Sequence, residues 1–219
     1  MSDDSPMTRD SIDETRRLYD TVAHTYAEVL PDTRYEAPLE LGMLDHFIAH
    51  LPDSDLPVLD AGCGTGRMLH YVSARGVSPL VGIDLSTEMI GHARASNPGI
   101  PLVTGDLRAL PHADASMRAV LCWYAVIHSS KADVAVIVRE VGRVLIPGGT
   151  VLFGFQAGTG ERVVERAYGH EVTLHGVLHQ TREFAHWLDD AGFDVTATAD
   201  RGPVGFERNS QGFVLARRR

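Results

Sequence analysis

Positive charge is scarce in this sequence. Lys131 is the only lysine, and 20 basic residues stand against 29 acidic ones, a net charge of −9. Binding to nucleic acid rests largely on neutralising phosphates with Lys and Arg, so a polyanionic partner is disfavoured. The one basic cluster, Arg217 to Arg219, is accounted for by a solvated terminus. Cysteine is almost as rare. Cys63 and Cys122 form no CxxC and no disulfide framework, and read as small apolar residues in a reducing compartment. Long apolar runs are missing too: none approaches the ~20 residues of a membrane span. The opening MSDDSPMTRDS lacks the basic start of a secretory signal and the arginine-rich make-up of a transit peptide. These absences predict a cytoplasmic protein with no nucleic-acid or membrane partner. A monomer or a homodimer is expected, and nothing in the sequence chooses between them. No internal repeat or low-complexity segment is present.

What is there alternates. Residues 1 to about 10 are expected to be disordered. Helices are expected over Ser11–Leu30, with Ser11 and Glu14 as a capping box, and over Pro38–His50. Strand, glycine loop and helix follow over 57 to 74. Strands are then expected near 79–84, 100–106, 117–125 and 150–156, separated by helices at 86–96 and 131–145. Residues 181–191 read as a helix with Thr181 as N-cap and Gly192 as stop, and two strands near 193–199 and 211–217 close the chain. This rhythm predicts a doubly wound α/β sheet of the Rossmann-like kind, seven-stranded and mostly parallel. The last two strands have no helix between them and should form an antiparallel hairpin. Residues 11–219 are read as one domain, with N-terminal helices (11–51) and an insertion (157–180) near the site.

The stretch VLDAGCGTGR, residues 58 to 67, sets Gly62, Gly64 and Gly66 at the carboxyl end of the first strand. Ligands of open α/β sheets bind there, and a backbone without Cβ atoms can touch them. The dinucleotide fingerprint would need a glycine where Arg67 stands. Asp60 would repel a pyrophosphate but suits a ligand with an ammonium group. Asp84, closing the second strand, can accept from both ribose hydroxyls, and Asp106, closing the third, can accept from an exocyclic amine. The pattern points to a nucleoside-containing ligand with a cationic tail.

With these residues in view, the chain resembles the class I S-adenosylmethionine-dependent methyltransferases, in the branch of quinone-biosynthesis and other small-molecule enzymes (methyltransferase type 11). The resemblance rests on VLDAGCGTGR, GIDLSTEMIGHAR, TGDLRALP, AVLCWYAVIHSS and REVGRVLIPGGTVLFG, in family order, and on YDTVAHTYAEVL upstream. It implies S-adenosylmethionine as cofactor and S-adenosylhomocysteine as product. Gly62, Cys63, Gly64 and Gly66 would lie against its methionine part, with Asp60 near the amino group. Arg67 and Tyr26 would meet the carboxylate. Asp84 would hold the ribose, Leu85 and Met89 would pack beside it, and Gly105, Asp106 and Leu107 would meet the adenine edge. Trp123, Tyr124 and His128 would lie near the sulfonium.

His128 is the candidate catalytic base, because its ordinary pKa lets it accept a proton at neutral pH; support of the cofactor is its other reading. Tyr19 and Tyr26, on one helix face, read either as a lid or as ordinary packing. The segment 167–180 reads as a substrate-lining hairpin, with Tyr168, His175 and His179 as candidate substrate contacts, or as a plain surface hairpin. The spacing of His170, His175 and His179 does not support a metal site. Arg162 and Arg166, on a short helix, read as solvated charge. The expected activity is methyl transfer to an O, N or C nucleophile of a small molecule. The alternatives are a nicotinamide-dependent oxidoreductase, disfavoured by the missing third glycine and by the absence of a Tyr-x-x-x-Lys pair, and a cofactor-binding module without catalysis.

Overall fold

The structure is a computed structural model that describes residues 9–205 and 207–219. Helix α1 (Arg9–Val29) and helix α2 (Pro38–Ala49) precede the sheet. Then come β1 (Val58–Ala61), α3 (Arg67–Ser73), β2 (Leu80–Asp84), α4 (Thr87–Ser96), β3 (Leu102–Thr104), β4 (Met117–Trp123), α5 (Lys131–Val144) and β5 (Leu145–Ala157). A hairpin of β6 (Glu161–Ala167) and β7 (His170–Val177) is followed by α6 (Thr181–Asp190), β8 (Phe193–Arg201) and β9 (Ser210–Arg218).

The sheet has seven strands in the order β3-β2-β1-β4-β5-β9-β8. The first five are parallel, while β9 runs antiparallel to both β5 and β8. Chain order reverses direction between β1 and β4, which is where a crevice opens beyond the carboxyl ends of the strands. β1 is buried along its whole length, as expected for a strand covered on both faces. The core lies on the two sides of this sheet. One side gathers α5 and α6 residues such as Val138, Val141, Phe184 and Leu188, and the other gathers Phe47, Leu69 and Ile90.

Local chemistry fixes the helix starts. Ser86 Oγ accepts from Met89 N at 3.1 Å and Ser130 Oγ accepts from Asp133 N at 3.1 Å, each replacing a missing intrahelical bond. Several boundaries differ from the sequence reading. The expectation of disorder over 1–8 lies outside the described residues, but residues 9 and 10 are helical. Ser11 therefore sits inside α1, where its carbonyl accepts from Thr15 Oγ1 at 3.0 Å, and it is no cap. Gln180, not Thr181, occupies the N-cap of α6, and the Thr181 hydroxyl instead donates to Asp200. Residues 161–167 are a strand rather than a short helix; the run ERVVERA pairs antiparallel with β7, with an irregularity between Val164 and Arg166.

Candidate functional site

A cavity of about 610 Å³ opens at the crevice beyond β1 and β4. Its floor is the loop after β1. Gly62 (φ +81°) and Gly64 (φ +53°) adopt left-handed backbone conformations that favour glycine. A Cβ on Gly62 would stand 2.1 Å from the Cβ of Ala125, so the loop closes tightly on the chain after β4. A Cβ on Gly64 would meet nothing within 4 Å and would project into open space. Gly66 serves differently: its Cβ would strike Asn97 Nδ2 at 2.3 Å, and Asn97 donates to its carbonyl at 3.1 Å. It does not line the cavity. Gly105 is likewise set by packing, with Ile83 Cδ1 2.8 Å from where its Cβ would be.

Two carboxylates stand beside this floor without a cationic partner among the described residues. Asp84 accepts from Gly64 N at 2.8 Å and from Ser86 N at 2.9 Å, which ties the glycine loop to the end of β2. Burial raises its pKa. Asp60 is buried, and its Oδ2 has no hydrogen-bond partner. Burial pushes Asp60 up to about 7, against the pull of the Arg67 guanidinium. Cys63 shares a small recess with Asp60 beside the main cavity, and burial lifts its thiol pKa well above the usual range. A buried carboxylate oxygen with no partner is costly. It fits a ligand that brings an ammonium group, and Asp84 retains acceptor capacity for hydroxyls. Leu85, Met89 and Leu107 line the same end of the cavity.

The other acids of the wall are matched. Asp106 pairs with Arg108 at 2.6 Å, and Arg108 also reaches Asp133 at 3.1 Å. Arg67, expected at a ligand carboxylate, is instead paired with Glu36, and Trp123 Nε1 donates to the same Glu36 oxygen at 3.4 Å. Tyr124 donates to Glu40, which Arg201 holds at 2.7 Å while also pairing with Glu207. Tyr124 keeps a positive φ of 58°, a strained conformation for a side chain this large.

Over the cavity lie α1 and the β6–β7 hairpin. Leu18, Val22 and Ala23 of α1 pack with Met89, Val164, Ala167, Tyr168 and Val172. The Tyr26 and Tyr168 rings are 4.8 Å apart, and both line the cavity. Tyr19 Oη and His128 Nε2 are 2.8 Å apart, and His128 Nδ1 is 2.5 Å from the His175 carbonyl. A carbonyl only accepts, so Nδ1 carries the proton and the unprotonated Nε2 accepts from the Tyr19 hydroxyl. Burial depresses His128 to about 4, and the ring is neutral at physiological pH. His175 contributes its backbone carbonyl while its side chain is exposed. His179 is no substrate contact: it is fully buried among Phe155, Phe184 and Trp187, with Nε2 3.4 Å from the Val126 carbonyl. His170 turns to Thr25 Oγ1 at 3.1 Å. Among the described residues no cluster of His, Cys, Asp or Glu could hold a metal ion, and no helix is long and apolar enough to cross a membrane.

Reasoning from the sequence missed Glu36, Glu40, Arg108, Arg201 and Arg208. Glu36, Glu40 and Arg201 owe their places to partners far away in the chain. Only Arg108, two residues after Asp106, had a local signal.

Residues 58–149 match the family described as "Methyltransferase domain". Over 133 residues the chain is 35% identical to a malonyl-(acyl-carrier protein) O-methyltransferase of Erwinia pyrifoliae, which covers 60% of this chain. The chain spans only 50% of that relative's length. A solved S-adenosylmethionine-dependent methyltransferase of Methanosarcina mazei superposes with a TM-score of 0.68 at 19% identity, covering 84% of this chain and 98% of its own. The 4+2 cyclase SpnF superposes with a TM-score of 0.70 at 18% identity, covering 94% and 96%. Likeness at this level is likeness of fold.

Proposed function

We propose, from the match of residues 58–149 to the methyltransferase-domain family, that the chain transfers a methyl group from S-adenosylmethionine to a small-molecule acceptor in the cytoplasm. The observation that carries this reading is the pair of carboxylates without a cation among the described residues, buried Asp60 and half-buried Asp84, around a glycine floor. Asp60 would take the ligand's ammonium group and Asp84 its ribose hydroxyls. Gly62 and Gly64 would let its methionine portion lie on the backbone. Leu85, Met89 and Leu107 would bury the nucleoside, with Asp106 at the adenine edge. Bound there, S-adenosylmethionine supplies a methyl group already activated on a sulfonium.

The chain's own contribution is then orientation and proton management. A nucleophile held in line gains up to ~7–11 kcal/mol from positioning. The Tyr19 hydroxyl can accept the acceptor's proton while passing its own to His128 Nε2. That relay needs no free phenolate, which burial of Tyr19 would oppose. Residues 11–51 and the 157–180 insertion act as cover, with α1 and the hairpin excluding water from this pair.

Thermal unfolding tests the cofactor. Ligand at ~100 times its dissociation constant adds ~2.7 kcal/mol, which raises the midpoint by roughly 5–10 °C for a chain of this size. S-adenosylmethionine and S-adenosylhomocysteine should each do so and NADH should not. A shift with NADH alone would overturn the reading.

The pH dependence of binding tests Asp60. The free protein keeps the Asp60 proton up to about pH 7, whereas an ammonium beside it favours the carboxylate, so binding expels that proton below pH 7. Affinity for S-adenosylhomocysteine should fall by up to ~tenfold per pH unit below 7. Asp60→Asn should abolish that slope. Calorimetric affinities that do not change between pH 5.5 and 8 in the wild type would remove Asp60 from the site.

A further inference from the structure

Charge around the cavity is matched group by group, with two exceptions. On the floor, Asp60 and Asp84 lack cations. On the hairpin side, Arg162, Arg166 and Arg208 line the cavity and have no carboxylate partner among the described residues. The other cavity arginines, Arg67 and Arg108, are both paired. Arg166 and Arg208 are exposed and can be satisfied by solvent, whereas Arg162 is half-buried.

Arg162 is the best defined of the three. It sits on β6 directly opposite Gly176 of β7. A Cβ at Gly176 would stand 2.9 Å from Arg162 Nε and 3.0 Å from its Cγ, so the glycine makes room for the arginine stem across the hairpin. Its Nε is buried and makes no hydrogen bond. Its electrostatic neighbours are the Tyr19 and Tyr168 phenols and a second cation, Arg208. Burial lowers its pKa, and Arg208 adds to the effect. A half-buried guanidinium facing another cation, with no anion at hand, pays a desolvation cost that an oxyanion ligand would repay. The reading of Arg162 as solvated charge therefore gives way.

We propose that the methyl acceptor carries a carboxylate, held by Arg162 with Arg208 and placed beside the Tyr19–His128 pair. This inference rests on the methyltransferase reading, whose cofactor would lie on the glycine floor. The floor and the arginines over it carry unmatched charge of opposite sign, so the two ligands are steered to different groups. Acceptor recognition comes from Arg162 on β6 of the hairpin together with Arg208 from the segment before β9.

The test uses the full chain saturated with S-adenosylhomocysteine. A set of aliphatic and aromatic carboxylic acids, each paired with its primary amide and with the matching alkyl or aryl phosphate, is screened by ligand-observed NMR. The acids that bind are then titrated. Acids are expected to bind where their amides do not, and Arg162→Gln is expected to weaken them about ten- to a hundredfold, with Arg208→Gln acting in the same direction. Affinity of the Arg162→Gln protein for S-adenosylhomocysteine should equal that of the wild type, which shows that the variant is folded. Equal binding of amides, preference for phosphates, no acid bound at all, or an Arg162→Gln protein that binds the acids as the wild type does would each overturn the inference. If S-adenosylhomocysteine binds and the acid preference is missing, the methyltransferase reading stands and only this inference falls. If S-adenosylhomocysteine does not bind the wild type, both fall.

Discussion

Exchange of His128 for asparagine is expected to slow methyl transfer by ~10²–10⁴-fold, the range that a positioned general base contributes, with S-adenosylhomocysteine affinity retained. The direction follows from the tautomer. The His175 carbonyl fixes the proton on Nδ1, so the basic Nε2 points at the Tyr19 hydroxyl. Tyr19→Phe removes the hydroxyl that links Nε2 to the acceptor and should cost a comparable factor. Combining the two should cost little more than either alone, because they act as one unit. The pH profile offers a second check with a definite sign. A histidine with its ordinary pKa would lose half its base form near pH 6.5. His128, held at about 4 by burial, stays neutral, so its contribution to kcat should be flat from pH 8 down to about 5. Asparagine at 128 turning over within a few-fold of wild type would remove the base from the mechanism.

A second large effect belongs to the glycine floor. Gly62→Ala is expected to destabilise the fold by ~2–5 kcal/mol. A left-handed L-residue costs ~1–2 kcal/mol, and forcing a methyl against Ala125 adds ~1–3 kcal/mol of overpacking. The midpoint of thermal unfolding should drop by roughly 5–20 °C. Gly64→Ala makes the informative partner. Its Cβ meets no atom within 4 Å, so only the backbone cost of ~1–2 kcal/mol applies, yet the methyl intrudes on the ligand's seat. Gly62→Ala should therefore lose more stability, and Gly64→Ala should lose S-adenosylhomocysteine affinity while remaining folded. Equal stability losses would mean that the contact with Ala125 yields more readily than the geometry indicates.

Those parts of the site that depend on neighbours in sequence were legible before the structure. An apolar strand, a bare loop and an aspartate at each strand end are local signals, and Asp60, Asp84, Gly62 and Gly64 stand where the pattern put them, whereas Gly66 and Gly105 answer to packing. The cap of α4 is a local matter too, since the Ser86 hydroxyl reaches only three residues on, to Met89 N. What was illegible depends on distant partners. Arg67 looked free for a ligand because Glu36, which takes it, lies 31 residues upstream. His179 looked like a substrate contact because a histidine in a polar-looking stretch carries no mark of the aromatic cage that buries it. The strand at 161–167 was hidden because ERVVERA has charged residues at helical spacing. Its pairing with β7, unlike a helical period, is a tertiary fact.

The strand order also has a bearing on synthesis. β9 lies between β5 and β8 and is buried along most of its length. β5 is thirteen residues long and largely buried, and one of its edges stays open until residues 210–218 arrive to pair with it. At the usual pace of translation that wait lasts about 3–10 s. For that interval a nascent chain displays an unpaired apolar edge, the kind of surface that recruits a neighbouring copy. A ribosome stalled between the codons for β5 and β9 would leave a polypeptide prone to aggregate, which makes this interval the point at which chaperone capture would matter most.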